Sequence, residues 1–270
     1  MTGSTQTMPS PQLATLAATA KRVGSLALPF IAVAVVWQIA GLFFPRFLFP
    51  SLIDVFWRCV EILVTGSMLS DVIATVLRIL GGLVGAFVCG SLVALVMARS
   101  AAADRFLAPI LSLLQGIPAL SWVVFAIIWF HGIEFRIFFI MVVTTLPAFT
   151  FQVLGALRAM SKDLTEMVLS FRPTRMKLFR AMILPAVLPD ILTAWKVNLG
   201  NASRVVVVAE LVGATGGIGY ELLQQQQLFD MAGALAWTLH IVFFVLIMQT
   251  VLTLIENTAF RYRAVSERSM

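Results

Sequence analysis

The stretch SKDLTEMVLSFRPTRMKLFRAMILPAVLP, Ser161–Pro189, is the one long cation-rich segment in the second half of a chain that is otherwise apolar there. Arg158, Lys162, Arg172, Arg175, Lys177 and Arg180 lie in or beside it, between two near-continuous hydrophobic runs. Leu164, Met167, Val168 and Phe171 recur at i, i+3, i+4 and i+7, which places them on one face of a short helix. Ser161 suits the N-cap of that helix, and Asp163 falls in its first turn, where the positive end of the helix dipole favours an acid. Pro173 stops the helix, because the residue before a proline is pushed away from αR. A second helix then shows Met176, Phe179, Met182 and Ile183 on one side, with Pro185 and Pro189 at the mouth of the next apolar run. The reading is a helix, a sharp turn and a second helix entering a membrane: a rigid knob suited to docking into another protein.

Composition places this knob on a membrane protein. The chain is 60% hydrophobic and 12% charged, with a mean hydropathy of +0.97. A soluble domain carries about 25% charged residues. Apolar runs predict six spans: Ser25–Phe44, Val72–Ala98, Phe106–Phe130, Ile133–Leu157, Ala186–Val212 and Ala232–Glu256. Each has about 20 residues or more, enough for a hydrocarbon core of roughly 30 Å. The first run reads as a retained span, since WQIAGLFFPR has no small-residue cleavage site. Pro45 to Ser70, with Trp57 and several Phe, has interfacial character. The chain thus divides into a cytoplasmic N-terminal tail (1–20), a six-span domain (21–256) containing the loop 158–185, and a cytoplasmic C-terminal tail (257–270).

Cations orient the spans. With the amino terminus inside, thirteen of the nineteen Lys and Arg fall in the cytoplasm: Lys21, Arg22, Arg99, Arg105, the six of the knob, Arg261, Arg263 and Arg268. Arg46, Arg58 and Arg136 fall outside, and Arg78, Lys196 and Arg204 lie within spans. This excess is the positive-inside pattern and puts both termini in the cytoplasm. The pI near 10 therefore reflects topology, not affinity for nucleic acid.

Small residues Gly81, Gly82, Gly85, Ala86 and Gly90 mark a close helix–helix contact. Gly116 with Pro118, and Pro147, interrupt the third and fourth spans. A broken helix is tolerated where it faces protein or a water-filled cavity, so QGIPALSW (Gln115–Trp122) is a candidate pathway lining, with a simple proline kink as the alternative. The fifth span carries Lys196, Asn198, Asn201, Ser203, Arg204 and Glu210, and charges at membrane depth normally face a bundle interior or an aqueous cavity. The spacing lets Lys196, Arg204 and Glu210 share a face. Lys196 is near enough to the cytoplasmic end to snorkel. Arg204, near mid-span, reads either as a cationic lining for an anionic solute or as half of a buried pair with a carboxylate. Gln115, Pro118, Ser121, Asn198, Arg204 and Glu210 are the pathway candidates.

The knob resembles the coupling loop of ABC-importer permeases, which runs Glu-Ala-Ala, three residues, Gly, nine residues, Ile-x-Leu-Pro. Glu166 matches the Glu, and Leu184–Pro185 match the closing Leu-Pro at the same spacing. Met167 and Val168 stand for the alanines, Met182 for Ile and Arg172 for Gly. Glycine there permits a positive φ, so the Arg172–Pro173 pair is expected to make the bend by another route. LPAVLPDIL and VVVVAELVGATGGIGY are similar to the nitrate/sulfonate/taurine branch of these permeases, and the resemblance covers roughly residues 70–256.

The resemblance implies an all-α, type I importer permease fold in the bacterial inner membrane. It implies a second permease subunit, two cytoplasmic ATPase subunits docked on Leu164, Glu166, Met167, Val168, Phe171, Arg172 and Pro173, and an extracytoplasmic solute-binding protein. The solute it implies is a small anion of the sulfonate, taurine or nitrate kind. Glu210 belongs to the matching AEL element, where it braces helices more than it touches solute. GATGGIGYELLQQQQ becomes an external loop and short helix facing the binding protein. The chain has no Gly-Lys-Ser/Thr phosphate loop. Any ATP and Mg²⁺ are then expected in the partner ATPase, with no cofactor or metal bound by this chain and no enzymatic activity of its own. His131 and His240 are isolated, and Cys59 and Cys89 lack metal-ligand spacing. The competing reading is a self-sufficient ion-coupled secondary transporter using Lys196, Arg204 and Glu210; such folds often show repeated halves.

Overall fold

The structure is a computed structural model that describes residues 28–259 except 30 and 46, with the backbone alone for Lys162, Leu164, Thr165, Arg175 and Ala259. The expectations for the tail 1–20, for Lys21 and Arg22, for Arg46, for Arg261, Arg263 and Arg268, and for the side chains of Leu164 and Arg175 lie outside the described residues. The described residues are helical, with no strand among them.

The first apolar run contains helix α1, Ile31–Phe43. The interfacial stretch becomes α2, Leu52–Val64, which Ser51 caps by accepting a hydrogen bond from Asp54 N at 3.1 Å. Arg58 ties α2 to Asp230, 172 residues on in the turn before the last helix, at 2.7 Å, and pairs with Glu61 at 2.8 Å. Four helices are long and apolar enough to cross a membrane: α3 (Gly66–Arg99), α6 (Ile133–Arg158), the stretch Met176–Gly213 and the stretch Met231–Thr258. They contain the predicted second, fourth, fifth and sixth spans.

The predicted third span is not one helix. It starts earlier and breaks into α4 (Ala101–Gly116) and α5 (Ala119–Trp129), which bend by 95°. The cause is local. Ile117, ahead of Pro118, takes the extended backbone that a following proline imposes (φ −76°, ψ 124°), and Pro118 then opens a new helix. An aromatic cluster pins the short second limb: Trp122, Trp129 and Phe130 of the α5 region meet Phe139 of α6 at centroid distances of 6.3, 6.1 and 4.9 Å.

Helices α3 and α6 form the centre of the bundle. In lipid there is no hydrophobic drive for helices to meet, so close approach through small residues decides the pairing. A Cβ on Gly82 would stand 2.6 Å from Met141 Cβ, and one on Gly85 would stand 2.7 Å from the Phe138 ring. Gly90 faces the Leu146 carbonyl, and Ala86 is fully buried. Gly81, expected in the same seam, has open space instead. It lies one residue, about 100°, round from Gly82 and off the contact line.

The knob has the expected form. Helix α7 spans Lys162–Ser170, and α8 spans Arg175–Leu178. Thr174 starts α8, its hydroxyl accepting from Lys177 N at 3.4 Å. Then comes a π-helical turn, Phe179–Ile183, and α9, Leu184–Gly213. The π turn has an identifiable cause. Pro185 has no N–H, and its ring crowds the preceding turn, so the backbone widens and Leu184 N reaches Phe179 O, five residues back. The second limb of the knob and the transmembrane helix are therefore one continuous rod, Met176–Gly213.

The bend at Arg172 corrects the sequence expectation. Arg172 itself adopts φ +49°, the left-handed conformation for which glycine is usual. The turn is made by the expected geometry with an unexpected residue. The backbone N–H groups of Phe171 and Arg172 close it on Val168 O (3.2 Å) and Leu169 O (2.9 Å).

Beyond α9 lie α10 (Ile218–Gln227) and α11 (Met231–Ala259). The turn between them places Phe229 at φ +56°.

Candidate functional site

A cavity of about 920 Å³ opens beside the α4–α5 bend. Its walls come from the break itself (Leu114–Ala119), from Thr144, Ala148 and Gln152 of α6, from Lys196–Val205 of α9, and from Gln249 and Thr253 of α11.

Of the six pathway candidates, Gln115, Pro118, Asn198 and Arg204 line this cavity. Ser121 does not. It is one turn into α5, half-buried and past the bend. Glu210 does not either, and the expected common face of Lys196, Arg204 and Glu210 is corrected here. Six residues at 100° each carry Glu210 about 240° round the helix from Arg204.

Glu210 is fully buried in a separate knot at the end of the bundle opposite the knob. Its carboxylate accepts from Arg78 Nη1 at 2.7 Å, from Thr75 Oγ1 at 2.8 Å and from Gly219 N at 2.9 Å. Arg78 also donates to Gly216 O at 2.9 Å and, through Nε, to Glu134 of α6 at 3.0 Å. Asp71 and Thr75 accept from Gly217 N (2.7 Å) and Ile218 N (2.9 Å). The backbone donors at the α10 amino end, which a helix cannot satisfy internally, are thus satisfied from α3 and α9. Close approach of backbone to carboxylate needs glycine: Gly217 has φ +108°, and a Cβ on Gly219 would lie 2.7 Å from Glu210 Cβ. Arg136 adds a further donor to Gly213 O. Glu210 thus ties α9 to α3 and to the start of α10, with glycines where backbone meets its side chain.

In the cavity, Arg204 is exposed, and no ion pair or hydrogen bond engages it among the described residues. Of the two readings of Arg204, the carboxylate partner that a buried pair needs is not found among the described residues. Lys196 does not snorkel to the surface: its ammonium pairs with Glu256 of α11, on the cavity wall. Asn198 is buried and oriented, its Nδ2 donating to Gln152 Oε1 at 2.6 Å and to Ala194 O at 2.9 Å. Gln152, Thr144, Gln249 and Thr253 were missed from sequence, although each is a polar residue within an apolar run. The two threonines turn their hydroxyls onto their own helices, to Ile140 O (2.7 Å) and Gln249 O (2.8 Å). The uncompensated charge on the wall is therefore positive. Among the described residues no three His, Cys, Asp or Glu gather as a metal site.

On the knob, Glu166, Met167, Phe171 and Arg172 are exposed, and Val168 and Pro173 are half-buried. Met176 and Phe179 continue the exposed apolar surface, while Met182 turns inward and is buried.

A long helix runs from the exposed knob to a polar cavity at the broken span, and comparison with known sequences decides the family. The model of the binding-protein-dependent transport system inner membrane component family matches residues 86–261. The chain belongs to that family. It is an ABC transporter permease by its relatives. It is 28% identical over 216 residues to the aliphatic sulfonates transport permease protein of Bacillus subtilis, across 77% of this chain and 76% of that one. It is 29% identical over 148 residues to the taurine transport system permease protein of Escherichia coli, across 54% of each. Among solved structures, the methionine ABC transporter MetNI in its inward-facing conformation superposes with a TM-score of 0.64 at 20% identity, over 71% of this chain and 95% of that one. The permease shares that fold, and the fold by itself does not select the solute.

Proposed function

We propose that this permease is the membrane-spanning subunit of an ATP-driven importer and that its cavity passes a small anionic solute of the sulfonate or taurine kind. The observation that carries the coupling part is the knob. Met167, Phe171, Met176 and Phe179 are 55%, 80%, 58% and 48% exposed beside the exposed carboxylate of Glu166. Such an apolar patch, on a loop between spans and not on a lipid-facing helix, is the mark of a partner surface. The partner is an ATPase subunit, two per complex, which holds the ATP and Mg²⁺. This chain supplies no catalytic group. It supplies a rod, Met176–Gly213, whose one end is gripped and whose middle forms the cavity wall.

The solute class rests on the unpaired Arg204 and on the names of the sulfonate and taurine relatives. A second copy of the permease and an extracytoplasmic binding protein complete the assembly, in the inner membrane with the knob and both termini in the cytoplasm. The test is co-purification of the chain from its native membrane, followed by uptake into vesicles. The expected result is an ATPase that accompanies the wild-type chain and is lost from Glu166→Ala and Phe171→Ala variants that are still inserted normally. Uptake that runs on an ion gradient with no ATPase bound would instead establish the secondary-transporter reading.

A further inference from the structure

Lys196 and Arg204 are the two cations on the cavity wall, and they are in different states. Arg204 has no counter-ion among the described residues, whereas Lys196 is held by Glu256. Eight helical residues separate them, about 12 Å along α9 at 1.5 Å per residue, with Lys196 nearer the knob. Asn198 and Asn201 line the cavity between them, and Asn198 is already oriented by Gln152. The Lys196–Glu256 pair is not sealed in. Its side chains are 24% and 34% exposed, and Lys196 faces the cavity. A partly solvated pair of this kind is weak, and a competing anion exchanges with it without leaving a buried charge uncompensated.

We propose that Glu256 is a stand-in anion: it occupies Lys196 while the cavity is empty, and an anionic head group captured first by Arg204 displaces it on the way toward the knob. The proposal deepens the reading of the cavity as an anion pathway and rests on it. Arg204 is the capture site because its guanidinium is free and offers paired donors that fit two oxygens of an oxyanion, which chloride cannot use. Lys196 is the second station, a single point charge that releases more readily. Glu256 lies in the last turns of α11. Its displacement therefore releases the polar tie between α11 and α9, while their apolar packing stays, and makes the presence of solute felt at the end of the bundle where α9 continues into the knob.

The experiment needs only the full-length chain in lipid nanodiscs, so it stands apart from the co-purification test and reports even if that test fails. A carbodiimide joins a carboxylate to an amine only in direct contact and does not couple sulfonates to amines. The Lys196–Glu256 cross-linked peptide is quantified by mass spectrometry in sodium methanesulfonate and, at equal ionic strength, in sodium chloride. The expected result is a cross-link yield at least threefold lower in methanesulfonate than in chloride for the wild-type chain, and equal yields in the two salts for Arg204→Gln. Equal yields in the wild-type chain, an undiminished difference in Arg204→Gln, or no cross-link in either salt would each overturn the proposal.

Discussion

Arg78 Nη1 lies 2.7 Å from Glu210 Oε1, joining the first half of α3 to the end of α9 through a carboxylate that is 0% exposed. Glu134 holds the other side of the same guanidinium, and Thr75 and Gly219 N complete the coordination of Glu210. Four helices are fastened at this one point. A buried pair is worth little against an apolar replacement, yet breaking it from one side is costly, because the remaining charge is left uncompensated.

Removing Arg78 alone should therefore be worse than removing both charges. Arg78→Met is expected to cost on the order of 3–5 kcal/mol. Arg78→Met combined with Glu210→Gln is expected to recover a large part of that loss. Thermal unfolding followed by fluorescence-detected size exclusion checks it, and a double variant that melts below the single one would contradict the assignment.

The α3–α6 seam predicts a contrast between neighbouring glycines. Gly82→Val drives a branched side chain into Met141, and overpacking of this kind costs about 1–3 kcal/mol. Gly81→Val meets open space and should express and melt like the wild type. Yields and melting temperatures of the pair, measured side by side, test the register of the contact.

Arg172 holds a left-handed backbone, which costs a non-glycine residue about 1–2 kcal/mol. Glycine relieves this but loses more freedom on folding, by roughly 0.5–1 kcal/mol. Arg172→Gly should thus stabilise the knob by up to about 1.5 kcal/mol and slow its cleavage in limited proteolysis. Faster cleavage would show that the arginine side chain contributes more than its backbone costs.

Glu221, in α10 outside the spans, is shifted upward by burial and then by the charge of Asp71, against a smaller opposing effect of its hydrogen bond from Gln225. An acid with a raised folded-state pKa folds best when protonated. Its ionisation costs nothing extra below the ordinary carboxylate value of about 4.3, and stability falls as pH rises from there through the raised value. Glu221→Gln should flatten this part of the melting-temperature profile above pH 4.3. A profile unchanged by the substitution would remove Glu221 as its source.

Much of the architecture was legible because it depends on local chemistry. Four spans follow from uninterrupted apolar runs, and the break at Ile117–Pro118 follows from proline geometry. The knob follows from a helical repeat stopped by Pro173. What escaped was everything set by rotation about a helix axis across a long separation. Lys196 was expected to snorkel because nothing near it in the chain announces Glu256, sixty residues away. Glu210 was grouped with Arg204 until the helix turned it toward Arg78, 132 residues earlier. Gln152 and Gln249 gave only the faint signal of one amide in an apolar run.

The sequence by itself determined that this is a helical membrane protein with a cation-rich knob between two spans, since hydropathy, proline and helical spacing act over a few residues. Only the tertiary structure decided which charges are satisfied and which are free. A side chain's electrostatic state depends on groups brought within about 3 Å from other helices. That is why Glu210 became a brace, Lys196 half of an ion pair, and Arg204 the open cation on the cavity wall.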